Sequence, residues 1–260
     1  MATQIKPKSS KSIKIVQITD THILDDGAPL FNGLETSESL EKILKRIKLE
    51  ERDLDLVLLT GDLVQNATNT SYEKLITHLS LFTVPVFSLP GNHDNPAMLN
   101  DVFKKEGHDV EKIIHIGEWC IIMLNSCVIG SHSGELSESE LKFLQMTLGK
   151  NIDKHCLIAL HHHPVSIDSS WMDSMILINA ESFLSVVDEY QHVRAIIWGH
   201  IHQKFESQRK KISLYGTPST CMQFKPKATA FAIDDKPPGF RRLMLNKDGS
   251  INTEVVYLSE

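Results

Sequence analysis

The sequence predicts an α/β layer fold. Apolar runs alternate with amphipathic helical segments through the first hundred residues, and polar motifs follow directly on the apolar runs. The chain is 260 residues long, 41% hydrophobic and 23% charged, which is enough to bury a sizeable core. Residues 13–19 form a β-branched run that ends at Asp20. Leu40, Ile43, Leu44 and Ile47 fall at helical spacing, so 36–52 is an amphipathic helix. A second buried strand over 54–60 ends at Gly61-Asp62, and a helix follows over 71–80. A third strand, 84–89, is ended by Pro90-Gly91, and 96–105 is helical. The order so far is β-α-β-α-β-α.

The second half is less regular. Strands are expected at 113–116 and 119–125, around Gly117. Ser137-Glu-Ser-Glu140 has the form of a capping box and opens a helix through Leu141, Leu144 and Leu148, with Gly149 as its stop. A strand over 156–160, a helix over 180–190 and a strand over 193–198 follow. Strands are then expected at 205–209, 212–215 and 230–234, and a hairpin turns at Asn246-Lys-Asp-Gly249 between 242–245 and 251–258. With no repeat and no linker in the sequence, 13–260 reads as a single domain behind a flexible, solvated leader, 1–12, that carries Lys6, Lys8 and Lys11.

Lys and Arg number 27 against 33 Asp and Glu, a net charge of −6, which argues against a nucleic acid polymer as partner. No apolar run approaches the ~20 residues of a bilayer span, so no membrane partner is expected. The leader lacks the apolar region of a secretory signal. Cys120, Cys127, Cys156 and Cys221 are sparse and form no C-x-x-C pair, which points to a reducing, cytoplasmic setting.

Histidine is the anomaly, with 13 residues. Several crowd into Asp20-Thr-His22, Gly91-Asn92-His93-Asp94, His161-His162-His163-Pro164 and Gly199-His200-Ile-His202. Taken singly, Gly61-Asp62 reads equally as a turn, Gly91-Asn-His-Asp as a hydrogen-bonded turn, and the histidine run as part core. Jointly they differ, because every motif follows an apolar strand. Loops at the carboxyl ends of strands in an open α/β sheet share one crevice. Glycines at 61, 91 and 199 let the backbone turn and approach a ligand closely. Carboxylates, a carboxamide and several imidazoles together suit divalent iron, manganese, zinc or cobalt, and they are too many for one tetrahedral ion. Two ions sharing a carboxylate would use them all.

The ordered set Asp20-x-His22, Gly61-Asp62, Gly91-Asn92-His93-Asp94, His162-x-Pro164 and Gly199-His200-x-His202 resembles the calcineurin-like metallophosphoesterase superfamily. Further stretches resemble its bacterial class III 3′,5′-cyclic AMP phosphodiesterases: Gln17-Ile-Thr-Asp-Thr-His22, Ser133-Gly-Glu-Leu-Ser137, Pro218-Ser-Thr-Cys-Met-Gln-Phe-Lys-Pro226 and Pro238-Gly-Phe-Arg241. The resemblance implies two mixed β-sheets packed as a sandwich with flanking helices, a four-layer fold. It implies that Asp20, His22 and His202 hold one ion, that Asn92, His162 and His200 hold the second, and that Asp62 bridges them. Within the triplet, His162 is favoured over its neighbours by the His-x-Pro spacing, which leaves His161 and His163 to orient ligands or to pack. His93 becomes the general acid and phosphate contact, and His22, Asp62, Asn92 and His202 also lie against the substrate. Asp94 either orients His93 or caps the turn. Trp171, Phe224 and Arg241 either contact a nucleotide or simply pack.

Two departures narrow the field. The superfamily's Ser/Thr phosphatases continue the Gly-Asp motif with Asp-Arg-Gly, whereas Leu63-Val-Gln-Asn66 stands here. Its purple acid phosphatases place a tyrosine where Gln65 stands, so a ferric–tyrosinate centre is not expected. The cofactors implied are two divalent ions, iron or manganese ahead of zinc or cobalt. The function implied is hydrolysis of 3′,5′-cyclic AMP, a small cyclic nucleotide, to 5′-AMP by a monomer or homodimer. The alternatives are a broader phosphodiesterase for glycerophosphodiesters or 2′,3′-cyclic nucleotides, and a non-catalytic scaffold on the same fold.

Overall fold

A computed structural model describes residues 2–108 and 111–258 of the chain. Two sheets lie at its centre. The first runs β14 (Ile251–Tyr257), β13 (Gly239–Asn246), β2 (Ser12–Ile18), β3 (Leu56–Thr60), β4 (Val86–Leu89), with β2, β3 and β4 parallel and β13 antiparallel to both neighbours. The second runs β1 (Thr3–Ile5), β5 (Ile113–Ile116), β6 (Trp119–Met123), β7 (His155–Ala159), β8 (Val193–Trp198), β10 (Ile212–Gly216), β9 (Phe205–Arg209). Its middle strands β6, β7, β8 and β10 are parallel.

The sandwich follows from side-chain alternation, since successive strand residues face opposite sides. Ile13 and Ile15 of β2, Leu56 and Leu58 of β3, Leu157 and Ala159 of β7, and Ala195 and Ile197 of β8 meet in one buried layer between the sheets. The intervening Val16, Ile18, Val57 and Leu59 point outward beneath the apolar faces of α1 (Thr36–Glu50), α2 (Asn69–Leu79) and α3 (Pro96–Lys105). On the far side, Cys156, Ile158, Ile196 and Trp198 lie beneath α4 (Glu138–Lys150) and α6 (Ala180–Asp188). The layers are helix, sheet, sheet, helix, as expected.

One polar seam crosses the interior near the carboxyl ends of the strands. Buried Gln17 donates from Nε2 to Thr60 Oγ1 (2.9 Å) in its own sheet and to the Trp198 carbonyl (3.1 Å) in the other, and its Oε1 accepts from Thr217 Oγ1 (2.6 Å). Every polar atom of that amide therefore has work in holding the sheets together.

Four local expectations are corrected. The leader is not simply solvated: Thr3–Ile5 pairs in parallel with β5, and the Lys8 N–H donates to Asp55 Oδ1 at 2.7 Å; Met1 lies outside the described residues. Gly149 does not stop α4, which continues to Lys150, because the capping falls to Asn151: its N–H reaches the Leu148 carbonyl and its Nδ2 the Thr147 carbonyl. Ser137 caps α4 through the Glu140 N–H, but the Glu140 carboxylate turns away to Lys112 and to the Asn125 N–H. The strand expected over 230–234 is only β12 (Ile233–Asp234), paired with β11 (Gln223–Phe224) as a small ribbon outside both sheets.

Candidate metal centre

The strand-end motifs meet at one rim. The first sheet brings Asp20 and His22 after β2, Asp62 after β3, and Asn92 and His93 after β4; the second brings the histidine triplet after β7, and His200 and His202 after β8. Asp20, His22 and His202 have ligand atoms within 4.8 Å of one another, as do His161, His162 and His200, and Asp62 lies in clusters with His22 and His93 and with Asp20 and His161.

The backbone is bent to make this possible. Asp20 (φ 53°), His22 (43°), Asp62 (49°), His200 (65°) and His202 (44°) are all left-handed, a region that costs a non-glycine residue about 1 kcal/mol or more. Such strain persists only where neighbours over-determine it. Here the Asp20 and His22 N–H groups donate to the Gly61 and Asp62 carbonyls (both 3.0 Å), and the His200 N–H donates to both oxygens of Asp20 (3.0 and 3.1 Å). Gly91 and Gly134 are needed for close approach: a β-carbon at Gly91 would collide with the Asp62 carboxylate, and one at Gly134 with the His162 ring.

Hydrogen bonds fix which imidazole nitrogen faces inward. His22 Nδ1 lies 2.9 Å from Gln65 Oε1, and His202 Nδ1 lies 2.9 Å from the Met222 carbonyl. Both Nδ1 atoms therefore carry the proton, and both Nε2 atoms present lone pairs. Those Nε2 atoms face each other at 3.2 Å, with Asp20 Oδ1 3.2 Å from His202 Nε2. Burial pushes His22 down to about 3, so it does not supply a proton to the gap. Three electron-pair donors converging without a hydrogen between them fit a cation.

The second position shows the same chemistry. His200 Nε2 donates to the Met175 carbonyl (3.1 Å), which turns Nδ1 inward, and His162 Nδ1 pairs with Ser126 Oγ (2.8 Å), which leaves Nε2 inward. Burial and neighbouring imidazoles hold His162 and His200 well below the usual histidine range, hence neutral. His162 Nε2 and Asn92 Oδ1 are buried with no hydrogen-bond partner among the described residues. Orphaned donors of this kind, with the imidazoles steadied through their other nitrogens, fit a transition-metal ion.

The rest of the triplet divides by role. His161 Nδ1 donates to the Thr60 carbonyl (2.8 Å) and its Nε2 faces Asp62 Oδ1 at 3.3 Å. Burial opposes its charge, but the Asp62 carboxylate outweighs burial and carries His161 up to about 9. Asp62, despite burial, is held well below the usual carboxylate range, first by His161. His163 stacks on the His200 ring at 5.7 Å and faces Asp173 Oδ1 at 3.4 Å.

His93 sits at the mouth. Its main-chain N–H donates to Asp62 Oδ1 (2.9 Å) and its Nδ1 to the Gln65 carbonyl (3.1 Å), while its ring meets His22 edge-on at 4.9 Å. Asp94 is the turn cap of the two alternatives. Its Oδ2 accepts from the Gly91 (2.8 Å) and Leu63 (3.1 Å) N–H groups and its Oδ1 from Tyr72 Oη (3.1 Å), while burial and Asp62 push its carboxyl up to about 6. Gln65, which orients His22 and His93 at once, carries a role that the sequence alone did not assign. Exposed His132, 6.2 Å from the His93 ring, also went unread; its sole signal is its place beside the Ser133-Gly-Glu motif.

The nucleotide-contact candidates separate. Arg241 is fully buried and spent on structure: Glu206 (3.1 Å), Thr217 Oγ1 (3.1 Å) and the Gly216 carbonyl (2.9 Å). Phe224 stacks on His202 with ring centroids 4.0 Å apart and planes 9° apart, and Trp171 meets Phe224 edge-on at 5.2 Å. Phe31 stacks on the His22 ring at 4.8 Å.

Comparison with known proteins agrees with this geometry. The calcineurin-like phosphoesterase family matches residues 13–204. The chain is 38% identical over 249 residues to the 3′,5′-cyclic adenosine monophosphate phosphodiesterase CpdA of Haemophilus influenzae, covering 95% of this chain and 91% of that one. It is 38% identical over 243 residues to a 3′,5′-cyclic-nucleotide phosphodiesterase of Nostoc sp., covering 94% and 91%. Among solved structures, a dimetal phosphatase from Danio rerio superposes with a TM-score of 0.63 at 15% identity, covering 96% of this chain and all of that one, a likeness of fold. The chain belongs to the calcineurin-like phosphoesterase family.

Proposed function

We propose that this calcineurin-like phosphoesterase hydrolyses 3′,5′-cyclic AMP to 5′-AMP with two divalent metal ions. The observation that carries the reading is the convergence of unprotonated donor atoms on both sides of Asp62. Relatives 38% identical over nearly the whole chain, named for that substrate class, support it. Asp20, His22 and His202 would hold one ion; Asn92, His162 and His200 the other; Asp62 both. Two divalent cations would supply positive charge opposite the phosphoryl oxygens and acidify the attacking water. The mixed oxygen and imidazole set suits iron, manganese, zinc or cobalt, and the family resemblance puts iron or manganese first.

The chain's own groups do the rest. In-line attack of water on phosphorus breaks the P–O3′ bond, and the departing ribose oxygen needs a proton. His93 holds one. Its Nδ1–H is engaged by the Gln65 carbonyl, so an imidazolium at His93 carries its second proton on Nε2, the nitrogen left for the leaving oxygen. The Asp62 carboxylate, through the His93 N–H, fixes that ring's base to the ligand loop. His22, Asn92 and His202 line the same rim as phosphate contacts. Burial keeps His162 and His200 neutral, so they compete with no proton for a cation. Four free thiols, with Cys120 and Cys156 opposite each other on β6 and β7 yet unbridged, support a cytoplasmic setting.

The test is the purified protein loaded with iron or manganese and supplied with cyclic AMP. Metal-dependent release of 5′-AMP is expected. A clear kcat/KM preference for a 2′,3′-cyclic nucleotide or a glycerophosphodiester would replace the substrate reading, and no turnover of any phosphoester would overturn the enzymatic one.

A further inference from the structure

Beside the cage stands a wall of aromatic rings. Phe224 lies flat on His202, Trp171 meets Phe224 edge-on at 5.2 Å, and Phe231 meets both, at 5.6 Å from each. Phe231 is 54% exposed, and the neighbouring Ile233 48%. Together Phe231 and Ile233 leave an exposed apolar patch at the end of the ring wall, beside the cage.

It is held firmly. The Phe224 N–H donates to the His202 carbonyl (2.9 Å) and the Lys225 N–H to the Ala232 carbonyl (2.8 Å), which closes the β11–β12 ribbon. Ser169 Oγ donates to the Ala228 carbonyl (2.9 Å) and ties the ribbon loop to the start of α5 (Ser170–Asp173), which carries Trp171. Asp173 in turn caps the Ile167 and Ser169 N–H groups and faces His163. The wall is thus pinned to the protein beside both metal positions. From the His202 imidazole to Phe231 is two ring-to-ring steps, each under 6 Å. The base of a nucleotide lies several ångströms from its phosphorus, so a base extending from the cage along this wall meets those rings. Phe31, the other ring on the cage, has one face stacked on His22 and joins no further ring.

We propose that Trp171, Phe224 and Phe231 form the nucleobase subsite, with a purine stacked on the exposed ring of Phe231. The inference rests on the reading that the substrate is a cyclic nucleotide. Stacking suits a flat π-surface of any base, with the larger purine face gaining most, so the wall selects nucleotides over diesters without a base.

The experiment compares competitive inhibition by 5′-AMP and by ribose 5-phosphate, molecules that share a phosphoribosyl unit and differ in the base, against hydrolysis of methyl 4-nitrophenyl phosphate. In the unaltered protein 5′-AMP is expected to inhibit about tenfold more tightly. Phe231→Ala brings the two inhibition constants to within about twofold, and Phe231→Tyr, which keeps the ring, restores the difference. The readout is a ratio, indifferent to any change in turnover. Independently, 5′-AMP but not ribose 5-phosphate alters the tryptophan fluorescence of the metal-loaded protein, and Trp171→Phe abolishes that change. A ratio unaltered by Phe231→Ala, or a fluorescence change that survives Trp171→Phe, overturns the subsite. Failure of the unaltered protein to turn over cyclic AMP, with the inhibitor ratio intact, overturns the substrate reading instead.

Discussion

The two rims of the crevice are built from different chemistry. The first sheet supplies every oxygen donor of the proposed ligand set, Asp20, Asp62 and Asn92, together with His22 and His93, the proposed proton carrier. The second supplies imidazoles alone, His162, His200 and His202. Carboxylates sit on one side and imidazole ligands on the other, with His161 of the second sheet, carried up to about 9, facing Asp62 across the crevice. The oxygen rim is tuned by neighbouring cationic and N–H groups that hold Asp62 ionised in a buried setting. The nitrogen rim is tuned by burial, which keeps His162 and His200 free of protons. The comparison teaches that an imidazole buried among other imidazoles stays neutral, whereas one that faces a carboxylate, as His161 faces Asp62, is held charged and holds that carboxylate ionised in return.

The largest effect should come from the shared member of the oxygen rim. Asp62→Ala is expected to empty both positions and lower kcat/KM by about 10⁴-fold; elemental analysis that still finds two ions per chain would contradict the bridging role. Next, His93→Ala should keep the metals and lower kcat on cyclic AMP by about 10³-fold. A nitrophenyl diester, whose departure needs little protonation, should suffer far less, and equal losses on both substrates would leave His93 a phosphate contact only. On the nitrogen rim, His162→Ala should lose one ion and keep the other, with an activity loss of about 10²-fold; loss of both ions would mean that the rims do not act as separate halves. Gln65→Ala, which frees His22 to rotate, is expected to weaken metal affinity about tenfold, read by titration with a competing chelator. The smallest catalytic change belongs to Asp94→Ala, which strips acceptors from the Gly91 and Leu63 N–H groups and from Tyr72. It should cost about 3 kcal/mol of stability, seen as a Tm lowered by several degrees, with metal content at saturating metal unchanged.

The sequence made the strand-end motifs legible because each follows a run buried on both faces, and such runs read plainly as strands. The helix over 96–105 and the strands at 113–116 and 193–198 were legible to the residue. The strand at Thr3–Ile5 was not, since three residues with one apolar side chain carry no periodicity and pair only because β5 leaves an edge open. The ligand residues were legible as types at strand ends, but their working nitrogens were not. Those are set by the carbonyls of Met175 and Met222 and the amide of Gln65, partners that only the folded chain brings near. The role of Asp94 was undecided for the same reason: besides the Gly91 N–H of its own turn it satisfies the Leu63 N–H of another loop and the Tyr72 hydroxyl of α2, and a sequence names acceptors without naming their donors. The ribbon carrying Phe224 and Phe231 lies outside both sheets, where no core periodicity marks it.

Sheets that touch only through aliphatic side chains are free to slip, because oil has no preferred registration. Gln17 removes that freedom beside the crevice, where a slip of one ångström would part His202 from Asp20. Its amide acts as a spacer gauge: a leucine of like volume in its place would leave the layers packed, with the Asp20–His200 and Thr60–His161 links alone to set their spacing.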